Sequence, residues 1–84
     1  MNLTFDPAAW DHYLHWQQTD KTIARKINAL IKECQRHPFE GTGKPEPLSG
    51  DLAGYWSRRI TREHRLVCKV SGEALIIIQC GYHY

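Results

Sequence analysis

No stretch of the 84 residues approaches the roughly 20 consecutive apolar side chains that a membrane-spanning helix requires. The first residues also lack the basic-then-apolar order of a secretory leader, so the chain is expected to be cytoplasmic. Cysteine is scarce: Cys34, Cys68 and Cys80 are odd in number, widely spaced and embedded in apolar segments. That pattern excludes a disulfide framework and fits small buried hydrophobes in a reducing compartment. There is no CxxC pair, and His12 and His15, three apart, have no third ligand nearby in the sequence, so no metal or other cofactor is expected. The absence of a glycine-rich phosphate loop and of a Gly-x-Ser-x-Gly turn argues against a P-loop nucleotidase and a serine hydrolase of the elbow type. Nor does one sign of charge dominate: 11 Lys and Arg against 9 Asp and Glu give +2, which permits contact with nucleic acid without demanding it.

What is present suffices for one compact domain over residues 1–84. Asn2 to Phe5 suits an edge strand. Asp6-Pro7 then offers an N-cap residue followed by a proline at the first helical position. In the helix that follows, Trp10, Tyr13, Leu14 and Gln17 fall on one expected core side, and Asp11, His12 and His15 on the other. Asp20 caps a second helix in which Ile23, Ile27, Leu30 and Cys34 repeat at spacings of four, three and four, until Pro38 ends it. Its reverse face carries Lys21, Arg25, Lys32 and Arg36 along one stripe.

From His37 to Gly54 turn formers accumulate without a sustained period, which predicts a long loop; such loops in small domains commonly carry function. The remainder reads as a meander of Tyr55–Thr61, His64–Val70 and Glu73–Cys80 joined by short turns. Alternation puts Leu66, Cys68 and Val70 on one face and Arg65, Val67 and Lys69 on the other. Leu75 to Ile78 is apolar on both faces, which predicts an interior strand. The expected fold class is α+β, with two N-terminal helices packed on one face of a small antiparallel sheet.

The face that the helices leave free would gather Ser57, Arg59, Arg65 and His83. Guanidinium groups present a rigid fork of donors that suits a phosphate, and a phosphodiester transition state gains negative charge there; an ordinary solvent-facing sheet that happens to bear arginines is the competing reading. His83, between Tyr82 and Tyr84, offers a proton donor near neutral pH. Lys44-Pro45-Glu46-Pro47 fixes a carboxylate between two prolines on a stiff segment beside a cation, which favours its ionised form and suits proton abstraction.

Five segments closely resemble the YoeB toxins of the RelE/ParE superfamily. They are Tyr13 to Gln17, Pro38 to Leu48, Tyr55 to Thr61, Glu63 to Val67 and Tyr82 to Tyr84, in the same order and spacing from Trp10 to the last residue. The resemblance implies a RelE-like fold and an endoribonuclease that cuts messenger RNA in the ribosomal A site by attack of a ribose 2′-hydroxyl on the adjacent phosphate. Carried over position by position, Glu46 is then the general base, His83 the general acid and Arg65 the main stabiliser of the transition state. Lys44 and Arg59 assist electrostatically, and Tyr84 orients the substrate. Gly81 and Cys68 depart from the family pattern, standing where relatives carry a basic residue and an aromatic, and neither removes a proposed catalytic group.

The same resemblance implies an antitoxin partner of the YefM/Phd type and is compatible with a homodimer. It also gives Lys21, Arg25, Lys32 and Arg36 a candidate partner in ribosomal RNA, where phosphate contacts supply affinity without sequence reading. Two alternatives remain: a non-catalytic ParE-like toxin that binds a protein such as DNA gyrase, and a plain RNA-binding module.

Overall fold

The computed structural model describes residues 1–82. In chain order they form β1 (Asn2–Phe5), α1 (Pro7–Thr19), α2 (Lys21–Arg36), β2 (Glu46–Pro47), a 3-10 turn at Gly50–Leu52, β3 (Trp56–Arg59), β4 (Arg65–Ser71) and β5 (Ala74–Cys80). The five strands make one sheet in the order β1-β5-β4-β3-β2, with both helices supplying the core against one face, as the α+β expectation holds. The sheet is mixed: β1 pairs parallel with β5, while every other neighbour is antiparallel. Short turns dictate antiparallel pairing only for the strands they join; β1 reaches β5 through nearly the whole chain, and a connection of that length permits a parallel neighbour.

Helix α2 follows its sequence closely. The Asp20 carboxylate accepts hydrogen bonds from the Thr22 and Ile23 backbone amides at 3.1 Å each, which satisfies two of the free donors at the helix start. Ala24, Ile27, Leu30, Ile31 and Cys34 are buried. Helix α1 differs from expectation. Its buried residues are Ala9 and Trp16, with Tyr13 packed against the core, whereas Trp10 and Leu14 are 45% and 40% exposed. The reason lies in the indole of Trp16, whose Nε1 donates to the Cys80 carbonyl at 2.8 Å. That bond ties the end of α1 to the end of β5 and turns the helix by roughly a quarter of a turn from the face that counting apolar residues favours. Trp10 instead stacks on Tyr13 and meets the edge of Phe5, forming an aromatic cluster beside the core. His12, expected on the solvent side, is half-buried.

The three cysteines are free and buried, as expected. Cys34 and Cys68 lie with their sulfurs 3.5 Å apart between α2 and β4, so Cys68 acts in packing. The hydrogen bond shared with Cys34, then burial, pushes the Cys68 thiol up, and burial alone pushes Cys80 up to about 12.

Candidate active site

Register decides which strand residues share a face, because directly opposed residues in an antiparallel pair point the same way. Glu46 opposes Ser57, Ser57 opposes Val67, and Val67 opposes Gln79. One step along, Arg59 opposes Arg65. Side chains alternate along a strand, so Ser57 and Arg59, or Arg65 and Val67, project together. Glu46, Ser57, Arg59, Arg65, Val67 and Gln79 therefore occupy one face, away from Leu66, Cys68 and Cys80, which are buried in the core. Gln79 joins this face through an irregularity: the register slips between Val67–Gln79 and Cys68–Ile77, so that Ile77 and Cys80 both face the core at an odd spacing.

Ser57 and Val67 are fully buried and form the floor. Arg65 is half-buried, and Glu46, Arg59 and Lys44 are exposed around it. Strand spacing near 4.8 Å and a rise near 3.3 Å per residue put the backbones of Glu46 and Arg65 roughly 12 Å apart, two strands over and two residues along. Long side chains from those positions can meet on one phosphodiester. Among the described residues the ion pairs are Arg58–Glu33 and His37–Glu40; neither engages Glu46, Lys44, Arg59 or Arg65. The Arg65 Nε is buried without a hydrogen-bond partner among the described residues. The Lys21, Arg25, Lys32 and Arg36 stripe is exposed. It lies on the helix layer, on the opposite side of the sheet.

Two neighbouring residues place the loop that carries Lys44 and Glu46. Gly43 and Lys44 both adopt left-handed backbone, with φ of +86° and +52°. Glycine suits the first because an added Cβ would stand 3.0 Å from the Arg59 carbonyl oxygen and 3.2 Å from the Arg58 Cβ. The Gly43 carbonyl accepts from the Arg59 amide at 2.7 Å, so the loop is bonded to β3 just before it enters β2. Lys44, a non-glycine residue in this conformation, is the kind of local strain that well-determined sites sustain.

Sequence reasoning missed the residue that organises the rest of the loop. Arg58 lies on the core face of β3 and is fully buried. Its guanidinium donates to Glu33 Oε1 at 2.7 Å, to the Thr42 carbonyl at 3.1 Å, to the Glu40 carbonyl at 2.7 Å and to the His37 carbonyl. Glu33 also accepts from the Thr42 amide and hydroxyl. The Thr42 backbone bond, then Arg58, holds the Glu33 carboxyl below its ordinary value. Gly41 is required here, since with φ of +113° an added Cβ would fall 2.0 Å from Glu33 Oε1. The signal was the Arg58-Arg59 pair itself: neighbours in a strand face opposite ways, so one of two adjacent arginines must enter the core and needs an acid there.

A cleft of about 690 Å³ at the end of α2, lined by Lys32, Glu33, Arg36 and Glu40 among others, lies on the helix side and is separate from this face. His83 and Tyr84, the two remaining residues expected at the site, lie outside the described residues. Gly81 and Tyr82, which lead to them, are fixed. The Arg65 amide donates to the Tyr82 carbonyl at 3.1 Å, so the chain passes beside Arg65 as it leaves β5.

Fold and face together define a small α+β protein with a carboxylate and several cations on one side of its sheet. Comparison with known proteins places that class: the profile of the YoeB-like toxin of bacterial type II toxin-antitoxin systems matches residues 5–84. The Escherichia coli K12 toxin YoeB is 58% identical over 84 residues, all of both chains. A YoeB/ParE toxin from Agrobacterium tumefaciens superposes with a TM-score of 0.98 at 56% identity over 100% of both chains. The Staphylococcus aureus YoeB, solved as a dimer and in complex with YefM, gives 0.92 in both cases at 48% and 47% identity, covering 100% of this chain and 98% of that one. The chain belongs to the YoeB-like toxin family of type II toxin–antitoxin systems.

Proposed function

We propose that this toxin is a ribosome-dependent messenger RNA endoribonuclease that works by acid–base chemistry without a metal ion. The observation that carries the reading is the shared face: Glu46, Arg59 and Arg65 project from three adjacent strands over a buried floor, in register, and their charges are not consumed by one another. In the reaction, Glu46 takes the proton from a ribose 2′-hydroxyl. The 2′-oxygen attacks the adjacent phosphorus, and a new P–O2′ bond forms as the P–O5′ bond breaks. Arg65, with Arg59 and Lys44, stabilises the extra negative charge on the phosphoryl oxygens. His83, in the role the family resemblance gives it, protonates the departing 5′-oxygen, and Tyr84 orients the substrate. The products are a 2′,3′-cyclic phosphate and a 5′-hydroxyl. A base, an acid and a charge stabiliser suffice because the nucleophile already belongs to the substrate.

The ribosome supplies the remaining part. In-line attack requires the ribose oxygen, phosphorus and leaving oxygen to be aligned, and positioning of that kind is worth roughly 7 to 11 kcal/mol. The A-site message would be held in that geometry, with Lys21, Arg25, Lys32 and Arg36 contacting ribosomal RNA through phosphates. Control falls to an antitoxin of the YefM/Phd type, by analogy with the S. aureus complex, whose acidic, partly apolar segment would cover the cationic face. A homodimer like that solved for the S. aureus protein and a cytoplasmic site of action complete the reading.

Mapping message ends in a translating extract tests it. The expected result is fragments bearing 5′-hydroxyl and cyclic phosphate ends from ribosome-bound message, with free RNA of the same sequence cut far more slowly. Arrest of translation with intact message, or protection of RNA without fragments, would refute the proposal.

A further inference from the structure

The last described turn of the chain is held in an unusual conformation by a buried histidine that the mechanism above does not use. Tyr82 has φ of +59°, a left-handed backbone that a bulky aromatic residue rarely adopts unless its surroundings impose it. Four contacts do so. The Tyr82 amide donates to His64 Nδ1 at 2.8 Å. The Tyr82 carbonyl accepts from the Arg65 amide at 3.1 Å and from Gln79 Nε2 at 2.9 Å. The same Gln79 nitrogen donates to the Gly81 carbonyl at 2.8 Å. Both polar groups of the Tyr82 backbone are therefore spoken for, one by the His64 side chain and the other by Arg65 of β4 and Gln79 of β5.

His64 is itself immobilised. It is 9% exposed, with its ring centroid 4.8 Å from that of Trp16 on one side and 4.8 Å from that of Tyr82 on another, edge to face in both cases. Its backbone amide donates to Thr61 Oγ1 at 3.2 Å, and its carbonyl accepts from the Ile60 amide at 2.9 Å. Trp16 is fixed in turn by its bond to Cys80. A chain of contacts thus runs from the β3–β4 turn through His64 to Tyr82, one residue before His83. To accept from an amide, His64 Nδ1 must carry no proton, which places the ring proton on Nε2.

We propose that His64, with Gln79, is a positioning residue: it clamps the turn at Tyr82, the residue that precedes His83 in the sequence, and supports cleavage through that clamp. This inference rests on the nuclease reading above and deepens it. A misplacement near 1 Å of a reacting group can cost about 10²-fold in rate, so loosening the turn next to such a group is expected to slow cleavage.

Two measurements test it. The first is single-turnover cleavage on message-loaded ribosomes by His64→Leu, His64→Asn and Gln79→Met, with rates corrected for the folded fraction. Leucine fills space without an acceptor, whereas the asparagine amide oxygen can take the place of Nδ1. The expected result is a fall of roughly tenfold to 10²-fold in the maximal rate for His64→Leu, with the half-saturating ribosome concentration unchanged, recovery of most of that loss by His64→Asn, and an intermediate loss for Gln79→Met. A purely structural role would lower the folded fraction and leave the corrected rate alone, and that outcome would overturn the proposal. The second is nitrogen NMR of the wild-type protein, which should find His64 Nδ1 unprotonated and the Tyr82 amide protected from hydrogen exchange. A protonated Nδ1 or a freely exchanging Tyr82 amide would overturn the clamp whatever the kinetics. Wild-type protein that cuts nothing on the ribosome would remove the nuclease reading and with it the catalytic half of this inference, while the NMR result would still decide the clamp.

Discussion

Arg58 and Arg59 adjoin in the sequence and do opposite work. Arg59 is exposed on the open face, whereas Arg58 is fully buried and bonded to Glu33 and three loop carbonyls. Residue types alone do not separate them; strand alternation does, once the register of β3 is known. The Glu33 carboxylate carries a testable consequence. Folding lowers its pKa below the unfolded value, through the Thr42 amide first and Arg58 second. Its contribution is therefore complete above the ordinary carboxylate range and is lost as pH falls through the lowered folded value. Glu33→Gln should be less stable than wild type at neutral pH, and the gap should narrow as the solution is acidified through that range. Chemical denaturation at a series of pH values checks it, and a gap that stays constant or widens in acid would contradict the assignment.

At the scale of elements, legibility followed how many stripes a segment offered. Helix α2 has one apolar stripe, and of the residues read from it Ile27, Leu30 and Cys34 are buried while Ile23 packs partly buried against the core. Helix α1 offers two overlapping ones, and the more aromatic of them, Trp10 with Leu14, is the exposed one. The choice is settled by a hydrogen bond from Trp16 to a carbonyl 64 residues away, which no local pattern contains. The parallel pairing of β1 with β5 was illegible for the same reason, since it joins opposite ends of the chain. The meander from β3 to β5 was legible because its turns are short. One chemical change made at two positions separates the stripes. Trp16→Phe removes the Nε1 donor and should cost about 1 kcal/mol, lowering Tm by roughly 4–8 °C in a chain of this size. Trp10→Phe should stay within about 0.5 kcal/mol of wild type. Thermal unfolding of the two variants reads the difference, and equal losses would contradict the placement of the α1 core face.

For the whole molecule, the two layers divide the labour. The helix layer carries the core, the Arg58–Glu33 knot and an exposed basic stripe; the open sheet face carries Glu46, Arg59 and Arg65. Alternation made Arg59 and Arg65 readable as a pair from the sequence. Glu46 was legible only as a carboxylate stiffened by two prolines, and its place beside Ser57 required the short strand β2 that the loop forms. His83 was legible from the residues only as a candidate proton donor between two aromatics; its assignment as general acid, and the role of Tyr84, came from resemblance. The central claim is that one face of this sheet gathers a base and a charge stabiliser around a single phosphodiester. The most direct measurement is the single-turnover rate of ribosome-bound message cleavage for Glu46→Gln and Arg65→Ala, each checked for native folding. The account predicts losses of about 10² to 10⁴-fold for Glu46→Gln, as for a general base, and of at least about 10²-fold for Arg65→Ala. Cleavage at the wild-type rate by either folded variant would contradict it.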